Sequence, residues 1–291
     1  MKALYLEKEL IMNILIALIP ALGWGIFPLI AGKIKNSKPS NEIFGLAIGA
    51  LIIGIITAII NPSSVSPKIF LLSLLSGMFW TMGQAGQFIS MSKVGISKTM
   101  PLSTGLQLIG NTLIGVIMFN EWSGLRQYVV GIISLILIII GVSLTAISRG
   151  DESKITGKDF LLLLFTSIGY WIYSTFPKTI TADAQSLFFP QMFGIFIGSI
   201  IYLLITRQTV AFKQKATYLN IFSGFSFGIA ALAYIFSAKM NGVINAFVYS
   251  QLCVIISTLG GIFIVGERKP KFEFIATLIG LVLIIIGAAI H

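Results

Sequence analysis

The chain has 291 residues, of which 56% are hydrophobic and only 10% charged, and its mean hydropathy is +0.96. That balance excludes an ordinary water-soluble domain and requires lipid around most of the surface. The formal charge of +10 does not indicate a nucleic-acid partner, because Lys and Arg fall in short connections between apolar runs and form no basic domain.

Residues 1–11 mix Lys2, Glu7, Lys8 and Glu9 with apolar side chains. They read as an N-terminal extension, either a short interfacial helix or a segment preceding a second start at Met12. Apolar runs then predict ten spanning helices near 12–31, 42–60, 69–91, 96–119, 125–147, 159–177, 185–206, 218–238, 243–265 and 271–290. Turn chemistry separates them, at Asn36 to Pro39, at Asn61 to Ser64, and at Arg149 to Ser153. The last break is the most polar and lies near the middle, so residues 12–148 and 159–291 read as two five-helix units joined by a polar loop at 149–158.

The two units resemble each other. Glu-Ile-Phe-Gly-Leu-Ala-Ile-Gly at 42–49 matches Gln-Met-Phe-Gly-Ile-Phe-Ile-Gly at 191–198, Gly23-Trp24 matches Gly169-Tyr170, Ser76-Gly77 matches Ser223-Gly224, and Gly115 to Glu121 matches Gly261 to Glu267. Four matches in order, 146 to 149 residues apart, predict a duplicated unit. Because five is odd, the second copy enters the membrane from the opposite side. The expectation is therefore an all-α membrane protein of ten transmembrane helices arranged as two inverted repeats, the plan of secondary transporters. Fourteen of the 20 Lys and Arg residues lie in one alternate set of connections, including Lys33, Lys98, Lys213 and Arg268. Those loops should face the cytoplasm, placing both termini outside.

Polar side chains within the runs should face the bundle interior, since hydrocarbon cannot satisfy them. Trp80, Gln84 and Gln87 make a stripe at i, i+4 and i+7, and Ser103 or Thr104, Gln107 and Asn111 make another. Gln191, Tyr234, Ser250 and Gln251 add amides, hydroxyls and a ring in the second unit, as do Asn245, Ser257 and Thr258. The bland account of such groups is interhelical glue; four amides on two neighbouring helices exceed what packing requires. The small-residue spacings Gly45/Gly49 and Gly194/Gly198 read as close helix packing, and Pro20 and Pro28 flank Trp24 in a first helix able to bend. No acidic or basic side chain lies centrally in a run. Amides can satisfy several hydroxyls and the rings of Trp24, Trp80, Tyr170, Trp171 and Tyr234 can cover apolar C–H faces, so the composition favours a neutral polyol or sugar. Cys253 and His291 are the only cysteine and histidine, too few for a disulfide or a zinc site, and no cofactor motif or catalytic constellation is apparent.

Gly-Trp-Gly-Ile-Phe-Pro at 23–28, Met-Pro-Leu-Ser-Thr-Gly-Leu-Gln-Leu-Ile-Gly at 100–110 and Ser-Thr-Leu-Gly-Gly-Ile-Phe-Ile-Val-Gly-Glu-Arg-Lys at 257–269 resemble the glucose/ribose porter family of the drug/metabolite transporter superfamily. The resemblance runs from about residue 12 to 290 and implies a ten-helix sugar uptake permease of a bacterial cell membrane, proton-coupled and operating by alternating access. Gly-Tyr-Trp-Ile-Tyr-Ser at 169–174 looks more like ribose-uptake members and Gly-Glu-Arg-Lys at 266–269 more like glucose-uptake members; glucose is the expected substrate. Alternatives are a drug or metabolite exporter and a non-transporting sensor or assembly subunit. The expected sugar contacts are Trp24, Trp80, Gln84, Gln87, Thr104, Gln107, Asn111, Trp171, Gln191, Tyr234 and Gln251. Glu42 is the candidate proton site, because its repeat partner Gln191 is neutral, whereas Glu121 and Glu267 sit beside Arg126 and Arg268 and read as salt-bridged helix ends.

Overall fold

The computed structural model describes residues 2–148, 154–180, 182–241, 246 and 249–290. Its elements, in chain order, are α1 (Lys2–Lys33), α2 (Pro39–Ile60), α3 (Pro67–Val94), α4 (Ile96–Phe119), α5 (Leu125–Thr145), α6 (Gly157–Thr175), α7 (Ala184–Ile205), α8 (Ile221–Asn241), α9 (Cys253–Gly260) and α10 (Lys271–Ile290). A five-residue helix, Lys215–Leu219, leads into α8, and a π turn at Gly261–Val265 extends α9. No strand occurs among the described residues.

Local chemistry sets the boundaries. Proline at the first helical position opens α2 and α3, with Ser66 accepting from the Ile69 N–H at 3.3 Å. Thr156 and Asp159 form a capping box that opens α6. Gly95, at φ 89°, breaks the chain between α3 and α4, and Asn120, at φ 50°, ends α4 in the left-handed conformation. α1 begins at Lys2 and runs through Pro20 and Pro28 without interruption, so residues 2–11 are helical and continuous with the first spanning helix.

Among the described residues, eight helices are long and apolar enough to cross a bilayer: Met12–Lys33, α2, α3, α4, α5, α7, Lys215–Ala238 and α10. The other two expected spans fall short for separate reasons. α6 has 19 residues but carries Lys158 and Asp159 at its start and a polar, aromatic end. The ninth is described only over Cys253–Val265, because the expected start at 243–245 lies outside the described residues, as does the first half of the central loop at 149–153. Burial is inverted relative to a soluble protein: Ile55, Ile59, Ile132, Ile136, Ile205 and Val282 are exposed, while Ser73, Ser134, Ser199 and Thr277 are fully buried. An apolar exterior around a polar interior makes this a multi-pass membrane protein.

Packing interleaves the two halves of the sequence. α1 lies on α8 and α9, whereas α6 lies on α3 and α4. Gly23 meets the Ser226 carbonyl and Ala230; Gly169 meets the Phe79 carbonyl and Gly83. Each position in one contact lies 146 or 147 residues from its counterpart in the other. At the α5–α10 seam, Gly141 abuts the Gly280 carbonyl, and Ser134 donates to the Gly287 carbonyl at 2.6 Å. A Cβ at Gly23, Gly169 or Gly141 would strike backbone, which is why these helices close on glycine.

Candidate functional site

The buried polar centre is built by α3, α4 and α6. The stripe spacing turns Trp80, Gln84 and Gln87 to one interior face of α3, where they are 5%, 1% and 3% exposed. Tyr170 of α6 lays its ring over Gly83, which has no side chain to obstruct it, and donates its hydroxyl to Gln84 Oε1 at 2.9 Å. Gln84 Nε2 donates to Gln87 Oε1 at 3.0 Å, and Gln87 Nε2 donates to Ser103 Oγ of α4 at 2.8 Å. Gln107 Nε2 reaches the same oxygen at 3.3 Å. A continuous chain thus links three helices.

Each amide in this chain spends one N–H, and each carbonyl that accepts uses one of two lone pairs. The chain orients the amides and leaves every one with donor and acceptor capacity. No ionised group belongs to it. Such a surface suits a ligand whose groups both donate and accept, as hydroxyls do.

Aromatic rings line the neighbouring interior. Trp80 and Phe227 of α8 have centroids 4.5 Å apart, and Trp24 and Tyr234 have centroids 5.5 Å apart. The indole N–H of Trp24 is buried and has no acceptor among the described residues, an expensive arrangement unless a ligand supplies one. Thr104 is buried beside Ser103 on α4.

Other expected contacts lie elsewhere. Asn111 sits two turns beyond Ser103 but accepts from Ser174 Oγ at 2.7 Å, at the edge of α6. Trp171 donates to the Leu106 carbonyl at 3.1 Å and presses its ring against Gly110; it lines an apolar cavity of about 300 Å³ with Ile114, Met118, Ile168 and Phe176. Gln191 pairs with Ser76 at 3.4 Å in the α3–α7 seam. Gln251 donates to its neighbour Ser250 at 3.3 Å.

A cavity of about 260 Å³ opens where α1 ends, α2 begins and α3 gives way to α4. Ser37, Glu42, Phe88, Met91, Ile96 and Glu267 line it. Glu42, 8% exposed, lies in the first turn of α2. Phe88, adjacent in sequence to Gln87, lines the cavity and meets Phe27 edge-on at 6.2 Å; Phe27 in turn meets Phe227 at 6.1 Å.

Glu267 departs from its expected role. Its carboxylate accepts from the backbone N–H groups of Ile96, through Oε1, and Ser97, through Oε2 at 2.9 Å, and so caps α4 rather than pairing with Arg268. The physical reason is proximity to unsatisfied donors: a helix start offers free N–H groups and positive potential to any nearby carboxylate. Lys98, Lys269 and Glu273 gather around it. Lys269 donates to Thr277 at 2.6 Å and to the Thr145 carbonyl at 3.3 Å. Burial, reinforced by Lys98 and opposed by Glu273 and Glu267, pushes its ammonium down to about 8. Lys93 pairs with Asp159 at 3.4 Å and ties the end of α3 to the start of α6.

Sequence reasoning did not find the roles of Tyr170 as terminal donor or Ser103 as shared acceptor. Their signals were present: Tyr170 is the repeat counterpart of Trp24, and Ser103 lies one turn before Gln107.

The family model described as sugar transport protein matches residues 15–291. A provisionally named sugar uptake protein of Lactobacillus helveticus is 72% identical over 280 residues, covering 96% of this chain and 100% of that protein. A provisionally named ribose uptake protein, RbsU, of Latilactobacillus sakei is 42% identical, covering 96% of this chain and 97% of that one. The glucose uptake protein GlcU of Staphylococcus xylosus is 41% identical, covering 95% and 96%. Identity does not separate the two sugars. A protein crystal structure superposes with a TM-score of 0.64 at 14% identity, covering 96% of this chain and 97% of that one, a likeness of fold alone.

Proposed function

The chain belongs to the sugar transport protein family, and from that membership we propose that it is a secondary-active sugar uptake permease that works by alternating access. The observation that carries the reading is the uncharged chain from Tyr170 through Gln84, Gln87 and Ser103 to Gln107. A sugar enters between this amide wall and the rings of Trp24 and Tyr234, with its hydroxyls on the amides and its C–H faces on the aromatics. Trp24 Nε1 donates to a ring or hydroxyl oxygen, and Thr104 completes the enclosure.

The mirrored contacts of α1 with α8 and of α6 with α3 support two inverted five-helix repeats, in which α3, α4 and α6 move as one unit and α8, α9 and α1 as its counterpart. The positive connections favour an orientation with the Glu42 cavity at the cytoplasmic side and both termini outside. Glu42 couples transport to protons: it is buried at the mouth of that cavity, where its access to water changes as the helices rearrange. Glucose is the preferred sugar, on the likeness of residues 266–269 to glucose-uptake members.

The test is exchange by Gln84→Ala and Gln107→Ala proteins reconstituted in liposomes with native retention on gel filtration. Losing one sugar hydrogen bond should cut exchange at sub-saturating sugar about tenfold in each. Wild-type exchange in both would remove the amide wall from the sugar path.

A further inference from the structure

A polar cluster beside the Glu42 cavity joins the first unit to the second. Asn41, fully buried at the start of α2, donates to Gln214 Oε1 at 2.6 Å and to Thr217 Oγ1 at 2.9 Å, and Thr217 donates to the Ala211 carbonyl at 2.6 Å. Asn220, where the short helix meets α8, is also fully buried; its amide donates to the Ala216 carbonyl at 2.8 Å and to Ser37 Oγ at 3.0 Å. Both N–H groups of that amide are thereby used. Its Oδ1 is buried without a partner among the described residues. A buried acceptor left unpaired is costly, so this oxygen favours any rearrangement that brings it a donor.

Ser37 connects the amide to a carboxylate. It lies in the turn between α1 and α2, lines the cavity with Glu42 and presents its hydroxyl to the Glu42 carboxylate. A hydroxyl has one proton to give and two lone pairs to accept with. Facing an ionised carboxylate, Ser37 donates to it, and its oxygen accepts from Asn220. Facing a protonated one, Ser37 becomes the acceptor and its own proton needs a new destination. Asn220 Oδ1 is the unpartnered oxygen on the amide already in contact, and taking that proton turns the amide over and gives up its bond to Ala216. Gly45, three residues after Glu42, packs against Asn220 and the Thr217 carbonyl, so such a change is felt directly by α2.

We propose that Ser37 and Asn220 are positioning residues that carry the charge state of Glu42 to the start of α8. With the carboxylate ionised, hydroxyl and amide clasp the α1–α2 turn to residues 216–220. With it protonated, the amide turns, the clasp loosens and the two units part more readily at this end. One proton enters from water onto Glu42; every other change is an exchange of hydrogen-bond partners. The titratable groups facing Glu42 are Tyr202 of α7 and, across the cavity, Glu267, which is held on the start of α4. This deepens, and rests on, the reading of Glu42 as the coupling residue.

A nitroxide on Lys35→Cys, exposed in the same turn, tests the relay in detergent-solubilised Cys253→Ser protein, through the ratio of mobile to immobile components in its spectrum. From about pH 8 down to about pH 5 that ratio should rise about fivefold, near the contribution of one hydrogen bond. Glu42→Gln and Ser37→Ala should each give one ratio across the range, and Ser37→Thr, which keeps the hydroxyl, should restore the response. No response in the parent, or a Ser37→Ala response as large as the parent's, overturns the relay. Native retention on gel filtration reports folding, and if Ser37→Ala is not retained, Asn220→Ala replaces it with the same expectation. Sugar accumulation driven by a proton gradient separates the two readings. Its loss in Glu42→Gln, beside an undiminished spectral response in Ser37→Ala, sinks the relay and leaves coupling standing. Wild-type accumulation in Glu42→Gln, beside the expected spectra, leaves the relay standing and removes Glu42 from coupling.

Discussion

At the scale of single residues, the protein separates neutral polar chemistry from charge. Gln84, Gln87, Ser103 and Gln107 meet in the interior, whereas Lys98, Glu267, Lys269 and Glu273 meet at one end of α4. Lys269 gives that end a pH signature. Its folded-state value of about 8 lies below the usual lysine value of 10.5, so the unfolded chain binds the extra proton between those limits. The cost of burying the charge is fully present below about pH 8 and disappears as pH rises toward 10.5. Lys269→Met removes that dependence. The melting temperature of wild type minus that of Lys269→Met should become more positive from pH 8 to 10.5, and a difference flat across that range would show that Lys269 is fully solvated.

At the scale of elements, close packing on glycine makes substitutions unequal. Gly169 rests against the Phe79 carbonyl and Gly83 N, whereas Gly157, at the start of the same helix, has nothing within 4 Å of a built Cβ. Gly169→Ala should cost about 1–3 kcal/mol through overpacking against backbone, and Gly157→Ala should stay within about 0.5 kcal/mol. Thermal unfolding of the two in one detergent measures the contrast; equal shifts would mean that the α3–α6 seam yields readily. Most element boundaries were legible from the sequence, because apolar runs end at Pro39, Pro67, Gly95 and Asn120, where backbone chemistry leaves little choice. The α3 stripe was legible for the same reason, being fixed by helical period. The α4 stripe was legible only in part. Gln107 and Asn111 are one turn apart, yet α6 presents Ser174 to the second of them, and periodicity does not tell which neighbour a helix face meets. Trp171 and Gln191 went astray similarly, drawn to a backbone carbonyl and to Ser76. Glu267 was hidden for a different reason: its partners are backbone N–H groups 170 residues away, which carry no side-chain signature, while Arg268 beside it offered a plausible false one.

At the scale of the whole molecule, the cavity lined by Glu42 and Phe88 and the buried amide chain that begins at Gln84 are separate features, and the proposed transport cycle has to connect them. In the proposed proton coupling, the group that titrates is the buried carboxylate of Glu42. Glu42→Gln should abolish sugar accumulation driven by an imposed proton gradient while sparing exchange down a sugar gradient; undiminished accumulation would remove Glu42 from the proton path. Beneath all of this lies the claim that the interior is a sugar site. Its most direct measurement is counterflow: purified wild-type protein in liposomes loaded with unlabelled sugar and diluted into trace labelled sugar. The account predicts transient accumulation of labelled glucose, weaker accumulation of ribose, and collapse of both in Gln84→Ala. Absence of counterflow with any neutral sugar, from protein that is folded and correctly inserted, would contradict it.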